Sequence, residues 1–240
     1  MRFLLGFAIA LLPVFASQIQ GKTSLRNGVA STEKADLPAA PRTFQRAIFQ
    51  DSLWQYMARY GKNKRFIESL TLQTLIALSY YPELRDVSIR FKFKNIKTTM
   101  QARPTTTSIL NAKKKRVYTI FIDKKIINRR GVNIMTAPFN AQIGILGHEL
   151  AHISDYESCS NVGILRFGFD YLDKRKKKNI EHYTDLITVA HGLGWQLYDW
   201  SNFVFEDSGA DEKYLKFKAK YYLKPKEIQT AIEFAPEKGF

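Results

Sequence analysis

Val87-Ser88-Ile89-Arg90-Phe91-Lys92-Phe93-Lys94 alternates apolar and polar side chains without a break. That two-residue period marks a strand with one buried face. Upstream the period is helical instead. Phe44, Ile48, Leu53 and Met57 space an amphipathic helix over residues 43–60, and a second helix covers about 66–79 and stops before Pro82. Downstream, residues 98–103 read as a neighbouring strand and 104–115 as a polar loop ending in three lysines. Residues 117–122 are apolar on both faces, which places them centrally in the sheet. Helical patterning returns at Pro138 and runs to about Tyr156, then over about 160–172 and 180–200, with a short piece from Pro225 that uses proline in its first turn. Two helices, a small sheet and then helices describe an α+β chain.

At 240 residues, with 45% hydrophobic residues including 17 Phe and 12 Tyr, the chain has ample material for one domain and its core. Arg2 and the apolar run over residues 3–15, closed by the triplet Val14-Phe15-Ala16, have the form of a secretory signal peptide. The run of about 13 residues is short for a membrane span. The expected layout is a signal peptide over 1–16, a linker over 17–41 and one domain over 42–240, exported to a periplasm, envelope or medium. The formal charge is +15, and loss of Arg2 leaves +14. That balance favours anionic partners such as polysaccharide or lipid headgroups, while export argues against nucleic acid. Cys159 is the only cysteine, so no disulfide forms within the chain.

The chemistry concentrates in Gly147-His148-Glu149-Leu150-Ala151-His152. Two histidines four apart on a helix lie about 40° from one another around its axis. Their imidazoles can converge on one ion, with Glu149 beside them to act on water activated there. Ile143, Leu146, Leu150 and Ile153 form an apolar stripe on the other face, while Ala141 and Gly144 clear the histidine side for another element or a substrate. By composition a chance match is on the order of 0.3%, so a third ligand is worth seeking. Glu181-His182-Tyr183-Thr184-Asp185 supplies the only Glu-x-x-x-Asp after His152. Glu181 and Asp185 share a helix face. Glu181 can reach the ion, and Asp185 can accept a hydrogen bond from a ligand imidazole. His182 and Asp185 are the alternatives to Glu181 as third ligand. Tyr156, Tyr183 and His191 are candidate oxyanion stabilisers. Lys174-Arg175-Lys176-Lys177-Lys178 reads as a solvated loop between the ligand-bearing helices, and Gly192 and Gly194 as close-packing positions.

His-Glu-x-x-His followed by Glu-x-x-x-Asp on a later helix resembles the gluzincin pattern of thermolysin-like and smaller zinc metallopeptidases. The gap of 28 residues between His152 and Glu181 is longer than in thermolysin, and the short chain is closer to compact members. The resemblance implies Zn²⁺ held by His148, His152 and Glu181, Glu149 as general base, and Asp185 orienting a ligand. It implies a zincin-like fold: a small, mostly antiparallel sheet packed on the active-site helix, with a helical C-terminal half. It also implies cleavage of a peptide or protein aligned on the sheet's edge strand. The competing expectation is a non-catalytic exported protein that binds anionic polysaccharide or membrane through its basic runs, with a structural or vestigial metal site.

Overall fold

The computed structural model describes residues 40–109, 111–125 and 131–235. The signal-peptide reading and the linker up to residue 39 lie outside them. Helices α1 (Arg46–Gln50) and α2 (Leu53–Tyr60) replace the single helix expected over 43–60, with Asp51 and Ser52 between them. Strand β1 (Lys64–Arg65) precedes α3 (Thr71–Ser79), which is buried from Leu72 to its end. Strands β2 (Ser88–Lys94), β3 (Met100–Pro104) and β4 (Val117–Asp123) follow. The C-terminal half is helical: α4 (Phe139–Ser158), α5 (Asn161–Asp170), α6 (Lys174–Thr188), α7 (Gly194–Asn202), α8 (Glu212–Tyr221) and α9 (Pro225–Glu233). The class is mixed α+β.

The sheet runs β1-β2-β4-β3. Its first two pairings are parallel and only β3 against β4 is antiparallel, so the expected mostly antiparallel sheet is corrected to a mixed one. The reason lies in β4. Tyr118, Ile120 and Ile122 are fully buried, and Thr119 and Asp123 on its other face are buried too. A β2–β3 hairpin would leave this strand at an edge, where one side of its backbone would have no partner. Residues 95–99 instead carry the chain past β4, which fills the middle and leaves β3 as an edge.

Helix α4 is buried on every side from Ala141 to Ile153, not on one stripe alone. The face of small residues is taken by α7: a Cβ on Gly144 would lie 2.0 Å from the Gln196 carbonyl oxygen. Buried Tyr81 fixes the helix further by donating to the Gly147 carbonyl at 2.8 Å.

The basic run read as a loop is the start of α6. Asp173 ends the preceding turn and its carboxylate accepts from the Arg175 and Lys176 amides, a standard N-terminal cap that begins the helix six residues early. The helix expected over 180–200 is broken at Val189–Leu193, where Gly192 takes φ +89°, a conformation that costs little only for glycine. Both halves thereby pack on α4. At Gly194 a Cβ would meet the Ile232 side chain at 2.6 Å, so α9 closes on α7 there.

Candidate metal centre

His148 and His152 sit one turn apart on α4, and Glu181 faces them from α6. Their ligand atoms all lie within 4.8 Å of one another, and all three residues are buried. The Glu181 Oε2 is 3.3 Å from His148 Nε2 and 3.4 Å from His152 Nε2. The two imidazoles meet edge to face, with centroids 4.8 Å apart.

Each of these three side chains is held from behind. His148 Nδ1 lies 2.8 Å from Asp185 Oδ1, as the shared face of α6 led one to expect. The second carboxylate oxygen of Asp185 accepts the Leu223 amide at 2.9 Å. His152 Nδ1 lies 3.2 Å from Thr184 Oγ1, and that hydroxyl already donates to the Ile180 carbonyl. The histidine is therefore the donor in this pair. Each ring thus donates from Nδ1 and turns Nε2 toward Glu181, the orientation that a metal ligand requires. Glu181 Oε1 accepts from the hydroxyls of Tyr171 and Tyr222. Its Oε2 is buried with no hydrogen-bond partner. An orphaned buried carboxylate oxygen facing two imidazole nitrogens fits a cation, since burial without a partner is otherwise costly.

The charges agree. Burial would depress the His148 imidazole, but the Asp185 and Glu181 carboxylates outweigh it and push it up to about 10. Burial likewise favours a proton on Glu181, yet the facing His148 and His152 imidazoles hold it well below the usual carboxylate range. This centre attracts positive charge, which a metal ion would supply in place of the proton.

Glu149 is buried, and burial raises its carboxyl above the ordinary value while both histidines pull it down. It is not a ligand. Its Oε2 accepts the Ala102 amide of β3 at 2.5 Å. Residues 99 and 105 pair toward β4, so the N–H of Ala102, at an even position, points off the free edge. Edge strand and general-base candidate therefore meet directly.

His182 and Asp185, the alternative ligands, lie outside the triad. Asp185 is engaged with His148 and Leu223, and buried His182 Nε2 has no partner. Among the oxyanion candidates, Tyr156 stacks 6.4 Å from His152. Tyr183 lies about 200° around α6 from Glu181. His191 stacks on Tyr81 at 4.2 Å with its nitrogens bound to Ile187 and Glu83. The sequence motif does not single out Thr184, Tyr171 or Tyr222, although Thr184 shares the face of Glu181 at i+3. The tyrosines arrive from outside the motif.

The centre is closed. The cavities beside it measure about 20 Å³, lined by His148, Asp185 and Tyr222 among others, and about 10 Å³, reaching Glu149 and Thr99. Each has room for one or two waters. Helix α8 and Tyr222 form the cover, with Lys218 Nζ 3.4 Å above the Tyr222 ring.

Because Asp185 Oδ1 fixes His148 without touching the ligand oxygen, Asp185→Asn should fold normally and lose roughly 10–100-fold in metal affinity. Competition with a chelator of known affinity measures this. An unchanged affinity would reduce Asp185 to an anchor for Leu223.

Comparison of the chain with protein-family models, with curated proteins and with solved structures returns no match.

Proposed function

We propose that this chain is an exported zinc-dependent peptidase of the gluzincin type. The observation that carries the reading is the partnerless Glu181 Oε2 facing two Nε2 atoms, with Glu149 alongside. Two imidazoles and one carboxylate are a common donor set of catalytic zinc. Zinc bound there supplies a Lewis acid that polarises a carbonyl and brings the pKa of water near neutrality.

This chain's residues do the rest. Asp185 and Thr184 keep both histidines in the ligating tautomer, and Tyr171 and Tyr222 orient the Glu181 carboxylate. Glu149, beside both imidazoles, takes a proton from the attacking water and returns it to the leaving amine. Tyr156 is the candidate nearest to support charge developing on the carbonyl oxygen. An extended peptide pairing with the edge of β3 would compete for the Ala102 amide, and so would release Glu149 as it binds.

A second reading, a non-catalytic exported binding protein with a structural metal, is favoured by one observation: the closed cover over the triad. One experiment separates them. Purified protein should hold about one zinc per chain and cleave members of a broad peptide library, with cleavage lost on chelation and restored by zinc. Full zinc with no cleavage anywhere in the library would favour the second reading.

A further inference from the structure

Helix α5 is apolar on two nearly opposite faces. At 100° per residue, Ile164, Phe167 and Tyr171 fall within about 60° of one another, and they turn inward. Ile164 is buried, Phe167 meets Tyr156 edge to face at 4.9 Å, and Tyr171 reaches Glu181. Val162, Leu165 and Phe169 fall within about 60°, centred about 160° away, and Leu172 follows in the turn after the helix. Their exposures are 75%, 48%, 73% and 81%. Single exposed apolar residues are ordinary, but four in one stripe form a patch.

The stripe runs directly into cations. Lys174, Arg175, Lys176 and Lys178 are exposed on the first turns of α6, and Arg166 is exposed on α5 itself. The acids between them are engaged: Asp173 caps α6, and Asp170 pairs with Lys176 at 2.6 Å. Lys177 lies over the Tyr171, Phe217 and Tyr221 rings and takes no part.

We infer that this stripe and its basic flank are a docking surface for an anionic lipid bilayer. Val162, Leu165, Phe169 and Leu172 enter the headgroup–acyl boundary, and Lys174, Arg175 and Lys178 meet the lipid phosphates. Charge decides the occupant. A second copy of a +15 chain would bring two basic runs face to face. A bilayer offers an apolar layer beneath a negative surface, which matches both halves of the patch. At ten residues, or about 15 Å, α5 is too short to cross and lies in the plane of the interface. Since α5 connects α4 to α6, docking would hold the metal centre close to the membrane.

Vesicle co-sedimentation tests this with the protein lacking residues 1–16, as export would leave it. Binding is expected to phosphatidylcholine vesicles containing phosphatidylglycerol and not to phosphatidylcholine alone, with weakening at high salt. Phe169→Ser with Leu172→Ser should lower partitioning tenfold or more, roughly the effect of withholding two large apolar side chains. Lys174→Gln, Arg175→Gln and Lys178→Gln together should lower it about a hundredfold, at about fivefold each. Circular dichroism and thermal melting should match the wild type, because every substituted side chain is exposed. The proposal is overturned if anionic vesicles bind nothing, or if the apolar pair leaves binding unchanged, which would mean net charge alone. It is also overturned if the protein dimerises in ultracentrifugation and the apolar pair abolishes the dimer, which would assign the stripe to a second copy.

Discussion

Glu149→Gln should lower peptide hydrolysis by about 10²–10⁴-fold while leaving zinc content and fold as they are. The substitution suits this site. Glutamine keeps the length of the side chain and a carbonyl oxygen, so the Ala102 amide at 2.5 Å retains its acceptor. What it loses is the ability to take up a proton, and no metal ligand is touched. The loss should therefore fall on kcat, with KM and metal affinity little changed. Parallel assays over a range of salt concentrations keep charge-driven adsorption of substrate apart from turnover. Cleavage retained by the glutamine variant would remove Glu149 from the mechanism.

Glu181→Gln should cost about a hundredfold or more in zinc affinity. Structural zinc sites bind with about 10–16 kcal/mol in all, so one ligand of three or four accounts for roughly 3 kcal/mol, or two decades. The amide can still accept from Tyr171 and Tyr222, so the apoprotein should fold. Glu181→Ala is harsher, since both tyrosine hydroxyls lose their acceptor inside a buried site. At about 1–3 kcal/mol for each unsatisfied buried group, the alanine protein should be about 2–6 kcal/mol less stable. Zinc titration and denaturant melts of the two variants separate ligation from support. Unaltered zinc affinity in Glu181→Gln would transfer the third-ligand role elsewhere.

The parts of this centre legible in the sequence are those written at helical spacing. His148 and His152 at i, i+4, and Glu181 and Asp185 at i, i+4, each declare a shared face, and each pair needs only one helix to be read. Joining the pairs takes the packing of α6 on α4, for which the sequence offers the motif and no distance. Tyr171 and Tyr222 were out of reach because they approach Glu181 from the end of α5 and from the turn after α8. Helix α8 itself was obscured: Tyr214, Phe217 and Tyr221 keep helical spacing, but Lys213, Lys216, Lys218 and Lys220 break up the apolar signal. In the sheet, the apolar character of both faces of residues 117–122 correctly placed β4 inside. It could not reveal that β2 and β3, neighbours in sequence, flank β4 from opposite sides. That order depends on which strand must be buried most, a comparison among strands and not a property of any one.

The closure of the centre has a kinetic consequence. Glu181 has no exposed surface, and Leu223 and Tyr222 are bonded to the same acidic pair that frames the histidines. No chelator can touch an ion held there until this cover lifts. Exchange of such an ion would then be timed by the protein's own opening, one molecule at a time. Its rate should level off as chelator is added and take the same ceiling for strong and weak chelators alike. The half-life of a bound ion would then be a clock for the motion that admits a substrate.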